Sequence, residues 1–141
     1  MTPNPDVLHS GIRVATPLAL TVGTYLLVAG HNRPGGGFAA GLVFGAVLTL
    51  RTISGLQRPM NGSPLVVVGI LVVAGIAAAP LLWGDPFLDQ KVFSGDLPLF
   101  GPVKSGSALV FDIGVTAIVI GLIAALLDGL AAEDSTTDGD P

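Results

Sequence analysis

The sequence lacks cysteine altogether and is poor in charge. Without cysteine it has no disulfide framework, no iron–sulfur cluster and no zinc site with thiolate ligands. Asp, Glu, Lys and Arg make up only 11% of the 141 residues, against about 25% in a typical soluble domain. A soluble chain must cover its surface with polar side chains, whereas a bilayer protein can leave its lipid-facing surface apolar. With 50% hydrophobic residues, this composition indicates an integral membrane protein.

The negative charge is concentrated at the C-terminal end. Half of the ten acidic residues follow the last apolar run: Asp128, Glu133, Asp134, Asp138 and Asp140. We therefore predict a disordered acidic tail over residues 131–141, and we expect no nucleic-acid partner. Residues 1–11 contain no Lys or Arg before the first apolar run, which is not typical of a cleaved signal peptide.

Four apolar runs cover residues 12–29, 36–53, 65–82 and 108–127. Each approaches the roughly 20 residues that an α-helix needs to cross the hydrocarbon layer. No run alternates polar and apolar residues, and the runs are too long for ordinary strands. The sequence therefore predicts an all-α integral membrane protein, in which residues 1–130 form a bundle of four transmembrane helices.

The connections between the runs differ in length. Residues 30–35 are a turn so short that the first two helices must form an antiparallel hairpin, whereas residues 83–106 predict an ordered interfacial loop. Lys and Arg number three on each side of the membrane. Lys91 and Lys104 share their loop with acidic residues and Arg33 lies in a glycine-rich motif, so we predict that both termini are cytoplasmic.

Glycine is spaced regularly in two of the predicted helices. Gly37, Gly41 and Gly45 fall on one face of the second helix, and Gly114 begins a stripe of small residues in the fourth. Small residues let helix backbones approach closely, which favours helix association in lipid. The pattern leaves open whether these stripes pack within the bundle or against another protein.

Three residues are candidates for contact with ions or with neighbouring subunits. His31 and Arg33 flank the turn Pro34-Gly35-Gly36-Gly37, whose free amide groups suit a carboxylate or anion, although glycine there also permits a tight turn. Asp112 is the only carboxylate inside an apolar run, so it is either functional or an interfacial acid favoured by the helix dipole. We find no catalytic set and no ligand cluster, and we expect neither enzyme activity nor a metal or other cofactor.

Two segments carry a family resemblance. The run from Gly30 through Pro34 to Phe38, followed by Gly41, and the later Phe111-Asp112-Ile113-Gly114-Val115, resemble the MnhB/MrpB family, a component of the Mrp-type (Mnh) multisubunit sodium/proton antiporter. The resemblance extends over nearly the whole chain. Ala40 stands where that family often has glycine, and Thr116 where an aromatic residue is common.

The resemblance implies a multi-pass protein of the cytoplasmic membrane that takes part in sodium and proton exchange. Its partners would be large antiporter-like subunits, other small membrane subunits and the lipid bilayer. A component of this type is needed for the assembled complex but does not exchange ions alone. The alternatives are a homologous subunit of an energy-converting hydrogenase, a purely structural scaffold, and a self-contained transporter that would require homo-oligomerisation.

Overall fold

The computed structural model describes residues 5–30, 36–83, 94–97, 101–104 and 107–137. Its long helices are α1 (Pro5–Gly30), α2 (Gly36–Ile53), α3 (Ser63–Ala78) and α4 (Ser107–Thr137). By length and composition, four helical segments are able to cross a membrane: Asp6–Gly30, Gly36–Ile53, Ser63–Leu81 and Ala108–Glu133. The prediction of an all-α membrane protein with four transmembrane helices is confirmed.

Two helices extend beyond their apolar runs. Helix α1 begins at Pro5, although the apolar run begins at Ile12, and α4 continues to Thr137. Helix α4 thus reaches into the segment for which a tail is predicted, and residues 138–141 lie outside the described residues. The extension of α4 includes Ala131, Ala132 and Glu133, which are good helix formers. Residues of this kind let the helix continue past the end of the apolar run, which lies at Leu127.

The third connection contains short regular structure. A 3-10 helix (Ala79–Trp83) continues α3, and strands β1 (Ser94–Leu97) and β2 (Gly101–Lys104) pair in antiparallel register. Ser94 is opposite Lys104, and Leu97 is opposite Gly101. The loop predicted here thus contains a small hairpin, which lies outside the four segments able to cross a membrane.

The four helices form an open row. Among the described residues, contacts join α1 to α2, α2 to α4 and α4 to α3, while α1 and α4 touch at only a few points. Gly37 meets Asp112 and Gly45 meets Ile123, so α2 and α4 run parallel. Helix α4 therefore has two seams on opposite faces, one with α2 and one with α3. The buried hydrophobic residues are all aliphatic: Ile12, Ala40, Leu48, Ala77 and Ala124.

Helix α2 ends in a compact cap. Gly55 has φ of 71°, a left-handed conformation that glycine adopts without a steric penalty. This turn brings the amide of Leu56 within 2.9 Å of the carbonyl of Arg51. The ring of His9 reaches across from α1, with Nε2 at 2.9 Å from the carbonyl oxygen of Ser54. Because a carbonyl can only accept, Nε2 donates the proton, and this bond joins the start of α1 to the end of α2.

Candidate functional site

The glycine stripe of α2 lies directly against α4. A Cβ atom added at Gly37 would lie 2.8 Å from the Cα and 2.9 Å from the carbonyl carbon of Asp112. A Cβ atom at Gly41 would lie 2.8 Å from the Cβ of Val119, and one at Gly45 would collide with the side chain of Ile123. The two backbones are therefore in direct contact near Asp112, and the seam becomes side-chain packing further along the helices.

The residues of α4 that face α2 form a stripe of their own. Asp112, Thr116, Val119 and Ile123 follow one another at intervals of four, three and four residues, which keeps them on one helix face. Asp112 is partly buried and lies level with the first turn of α2, because its backbone meets Gly37. The start of α2 is the positive end of that helix dipole, an environment that favours a carboxylate.

Thr116 is the one polar residue found buried in the described parts of the chain, with 6% of its surface exposed. Its Oγ1 lies 2.8 Å from the carbonyl oxygen of Gly37 and 2.8 Å from that of Asp112. The first bond crosses between helices, and the second returns to the preceding turn of α4. The hydroxyl therefore connects the backbone that carries Asp112 to the first turn of α2.

The opposite face of α4 packs on α3 through glycine pairs. A Cβ atom at Gly69 would lie 2.7 Å from the carbonyl oxygen of Gly114, and one at Gly114 would lie 3.2 Å from that of Gly69. Gly62 and Gly121 form the same reciprocal contact seven residues away. These glycines bring the backbones of α3 and α4 together, and they place Gly114 away from Asp112.

The structure places the predicted residues in three groups. Gly36, Gly37, Gly41 and Gly45 are buried, and the last three meet the Asp112 face of α4, whereas Gly36 contacts Gly30. Gly114 lies in the other seam, and Phe38 is 53% exposed on the surface of α2. The remaining predicted residues lie outside the described residues: His31, Arg33, Pro34 and Gly35.

Sequence reasoning missed Thr116 as a polar contact and gave no role to His9. The spacing of Thr116 four residues after Asp112 was visible, but α2 could not be identified as its neighbour from that spacing. Within the described parts of the chain, no three His, Cys, Asp or Glu residues are grouped so that they could hold a metal ion. The site thus offers one partly buried carboxylate beside a tightly packed seam, an arrangement suited to a polar contact.

Known proteins resemble this chain along most of its length. Residues 7–125 match the family model described as a domain related to the MnhB subunit of Na+/H+ antiporter. The B subunit of the Na(+)/H(+) antiporter of Alkalihalophilus pseudofirmus is 33% identical over 137 residues, which cover 93% of this chain and 95% of that protein. The putative antiporter subunit mnhB2 of Staphylococcus epidermidis is 32% identical, over 90% of this chain and 94% of its own length.

A solved structure shares the fold. One chain of the Mrp complex from Dietzia sp. DQ12-45-1b superposes with a TM-score of 0.76 at 28% sequence identity, and the match covers 90% of the present chain. The match spans only 14% of that longer chain. In that complex, the same arrangement of helices is one part of a much larger polypeptide.

Proposed function

Because the chain belongs to the family of domains related to the MnhB subunit of Na+/H+ antiporters, we propose that it is a small membrane subunit of a multisubunit sodium/proton antiporter. The observation that carries this proposal is the likeness to the B subunit of an antiporter along nearly the whole of both chains. The fold is consistent with it, because four membrane-spanning segments form an open row with broad apolar surfaces. Such surfaces suit lipid and other membrane subunits.

Exchange itself belongs to the assembly and not to this chain alone. Ionisable groups inside a membrane are costly and mark ion pathways. The described parts of the four helices supply one partly buried carboxylate, that of Asp112, and the buried hydroxyls of Thr116 and Thr52. Asp112 acts either on the ion path or in a contact with a neighbouring subunit, and both roles require that the complex be assembled around it.

The partner that we propose first is a large membrane subunit. In the Dietzia Mrp complex the matching segment is a small part of a long chain, so the rest of that chain is covalently joined to this fold. We infer that the present chain packs against the subunit that corresponds to that remainder. Four spans place the two termini on the same side of the membrane, and in this proposal that side is the cytoplasm.

Affinity purification tests this assignment. The chain, tagged at its C-terminus and expressed in its native host, should co-purify with large antiporter subunits from mild detergent. An unrelated four-helix membrane protein with the same tag and expression level provides the control. Recovery of the tagged chain alone, with the antiporter complex intact elsewhere in the same membranes, would contradict the proposal.

A further inference from the structure

Thr116 differs from the other helical threonines whose hydrogen bonds the structure describes. The hydroxyls of Thr16, Thr21, Thr24 and Thr49 donate only to the carbonyl four residues earlier in their own helix. Such bonds satisfy the hydroxyl locally and connect nothing else. Thr116 makes the same local bond to Asp112 and also reaches Gly37 on a second helix. One hydroxyl hydrogen is therefore shared between two carbonyl oxygens at equal distance.

We propose that Thr116 is a positioning residue that holds Asp112 at a fixed place beside the first turn of α2. The inference rests on the proposed role of Asp112 in exchange. Asp112 and Thr116 are one turn apart on the same face of α4, and the Thr116 hydroxyl bonds the backbone oxygen of Asp112 itself. The same hydroxyl also donates to the carbonyl oxygen of Gly37, which connects that turn of α4 to α2.

The surroundings of Thr116 strengthen its hydrogen bond to Gly37. Gly37 has no side chain, so the α2 backbone lies against the backbone of Asp112, and Thr116 is buried from solvent. Where water cannot compete, a hydrogen bond between helices fixes their relative position more strongly than an exposed bond would. Loss of the hydroxyl should let the start of α4 shift against the positive end of α2. The carboxylate of Asp112 would then meet a cation in a less suitable position.

The test substitutes Thr116 in the complete antiporter complex and measures sodium-dependent proton exchange in everted membrane vesicles. Thr116→Val keeps the shape of the side chain and removes the donor, whereas Thr116→Ser keeps the donor. We expect Thr116→Val to raise the sodium concentration for half-maximal exchange about two- to threefold, the size of a typical hydrogen bond between membrane helices. The maximal rate should be preserved, and Thr116→Ser should restore the wild-type value.

Thr49→Val provides the matched control, because Thr49 bonds only to Gly45 within α2. Thr49→Val should leave the sodium concentration for half-maximal exchange unchanged. A second control combines Thr116→Val with Asp112→Glu, which keeps the charge but moves the carboxylate. If Thr116 acts through Asp112, Thr116→Val should add nothing in that background, since effects on one shared element are not additive.

The outcomes separate this inference from the proposed function. Exchange that persists after deletion of the whole chain would refute the proposed function. If deletion abolishes exchange but Thr116→Val leaves half-saturation unchanged, the positioning role alone is refuted. An effect that adds to that of Asp112→Glu, or loss of the complex on native gels with Thr116→Val, would make Thr116 a packing residue and also overturn the inference.

Discussion

At Gly37 the backbone of α2 lies directly against the backbone of α4, and Gly37→Ala tests this contact most sharply. The added methyl carbon would lie 2.8 Å from the Cα of Asp112, and ordinary van der Waals contact begins at 3.4 Å. The obstructing atoms belong to the backbone of Asp112, so no side-chain rotation can relieve the overlap. The helices must therefore separate by at least 0.6 Å, the difference between those two distances.

This separation has two costs. A gap of about 0.5–1 Å removes roughly a quarter to a half of the dispersion energy of the contacts that it opens. It would also lengthen the bond from Thr116 to the carbonyl of Gly37 beyond its present 2.8 Å. Overpacking a close-packed interior typically costs about 1–3 kcal/mol. Alanine offsets part of this, since it favours a helix over glycine by up to about 1 kcal/mol.

The assay is unfolding of the full chain, purified in mild detergent and titrated with sodium dodecyl sulfate while helical circular dichroism is recorded. Gly75→Ala is the matched control, because a Cβ atom there meets nothing within 4 Å. We expect Gly37→Ala to be destabilised by about 1–3 kcal/mol relative to Gly75→Ala. If the two variants were equally stable, the backbone contact between α2 and α4 would be wrong.

Three further predictions concern the same helices. Gly41→Leu, placed against Val119, should leave membrane insertion intact but prevent assembly of the complex; normal assembly on a native gel would show that this seam tolerates bulk. Asp112→Asn should lower sodium-dependent exchange while the complex stays intact, and unchanged exchange over the working pH range would leave Asp112 an interfacial acid without a role in transport. Cytoplasmic termini predict that a phosphatase fused after Pro141 is inactive and a fluorescent protein there is bright, whereas the reverse pattern would place the C-terminus outside.

Hydrophobicity predicted the limits of a helix well where the helix and its apolar run have the same ends. The predicted limits of the second helix, 36–53, are those of α2 (Gly36–Ile53). The predicted start of the first helix was late because α1 continues through the polar residues Asp6 and His9. A helix needs backbone hydrogen bonds, not apolar side chains, and His9 is further held by Ser54. The end of α4 was predicted too early for the same reason.

The order of the helices and the surroundings of Asp112 could not be obtained from one sequence. The stripe of small residues that begins at Gly114 indicated a packing face on α4. Nothing in the sequence identified Gly69 of α3, or Gly62 just before α3, as its partners. The face of α4 that meets α2 carries Thr116, Val119 and Ile123. Because Val119 and Ile123 are not small residues, the sequence pattern did not predict a helix contact there. Asp112 was recognised as the one carboxylate in an apolar run, whereas its position beside Gly37 depends on which helices are neighbours.

Reconstitution into liposomes tests whether this chain contributes to sodium/proton exchange without performing it. Three preparations are compared at equal protein and an imposed sodium gradient: the complete complex, the complex purified without this chain, and the chain alone. We expect proton movement only with the complete complex, because an ion path across hydrocarbon needs more polar groups than Asp112 and the buried threonine hydroxyls provide. Robust exchange by the chain alone would show that it transports ions by itself, and full exchange by the complex that lacks it would show that the chain is dispensable.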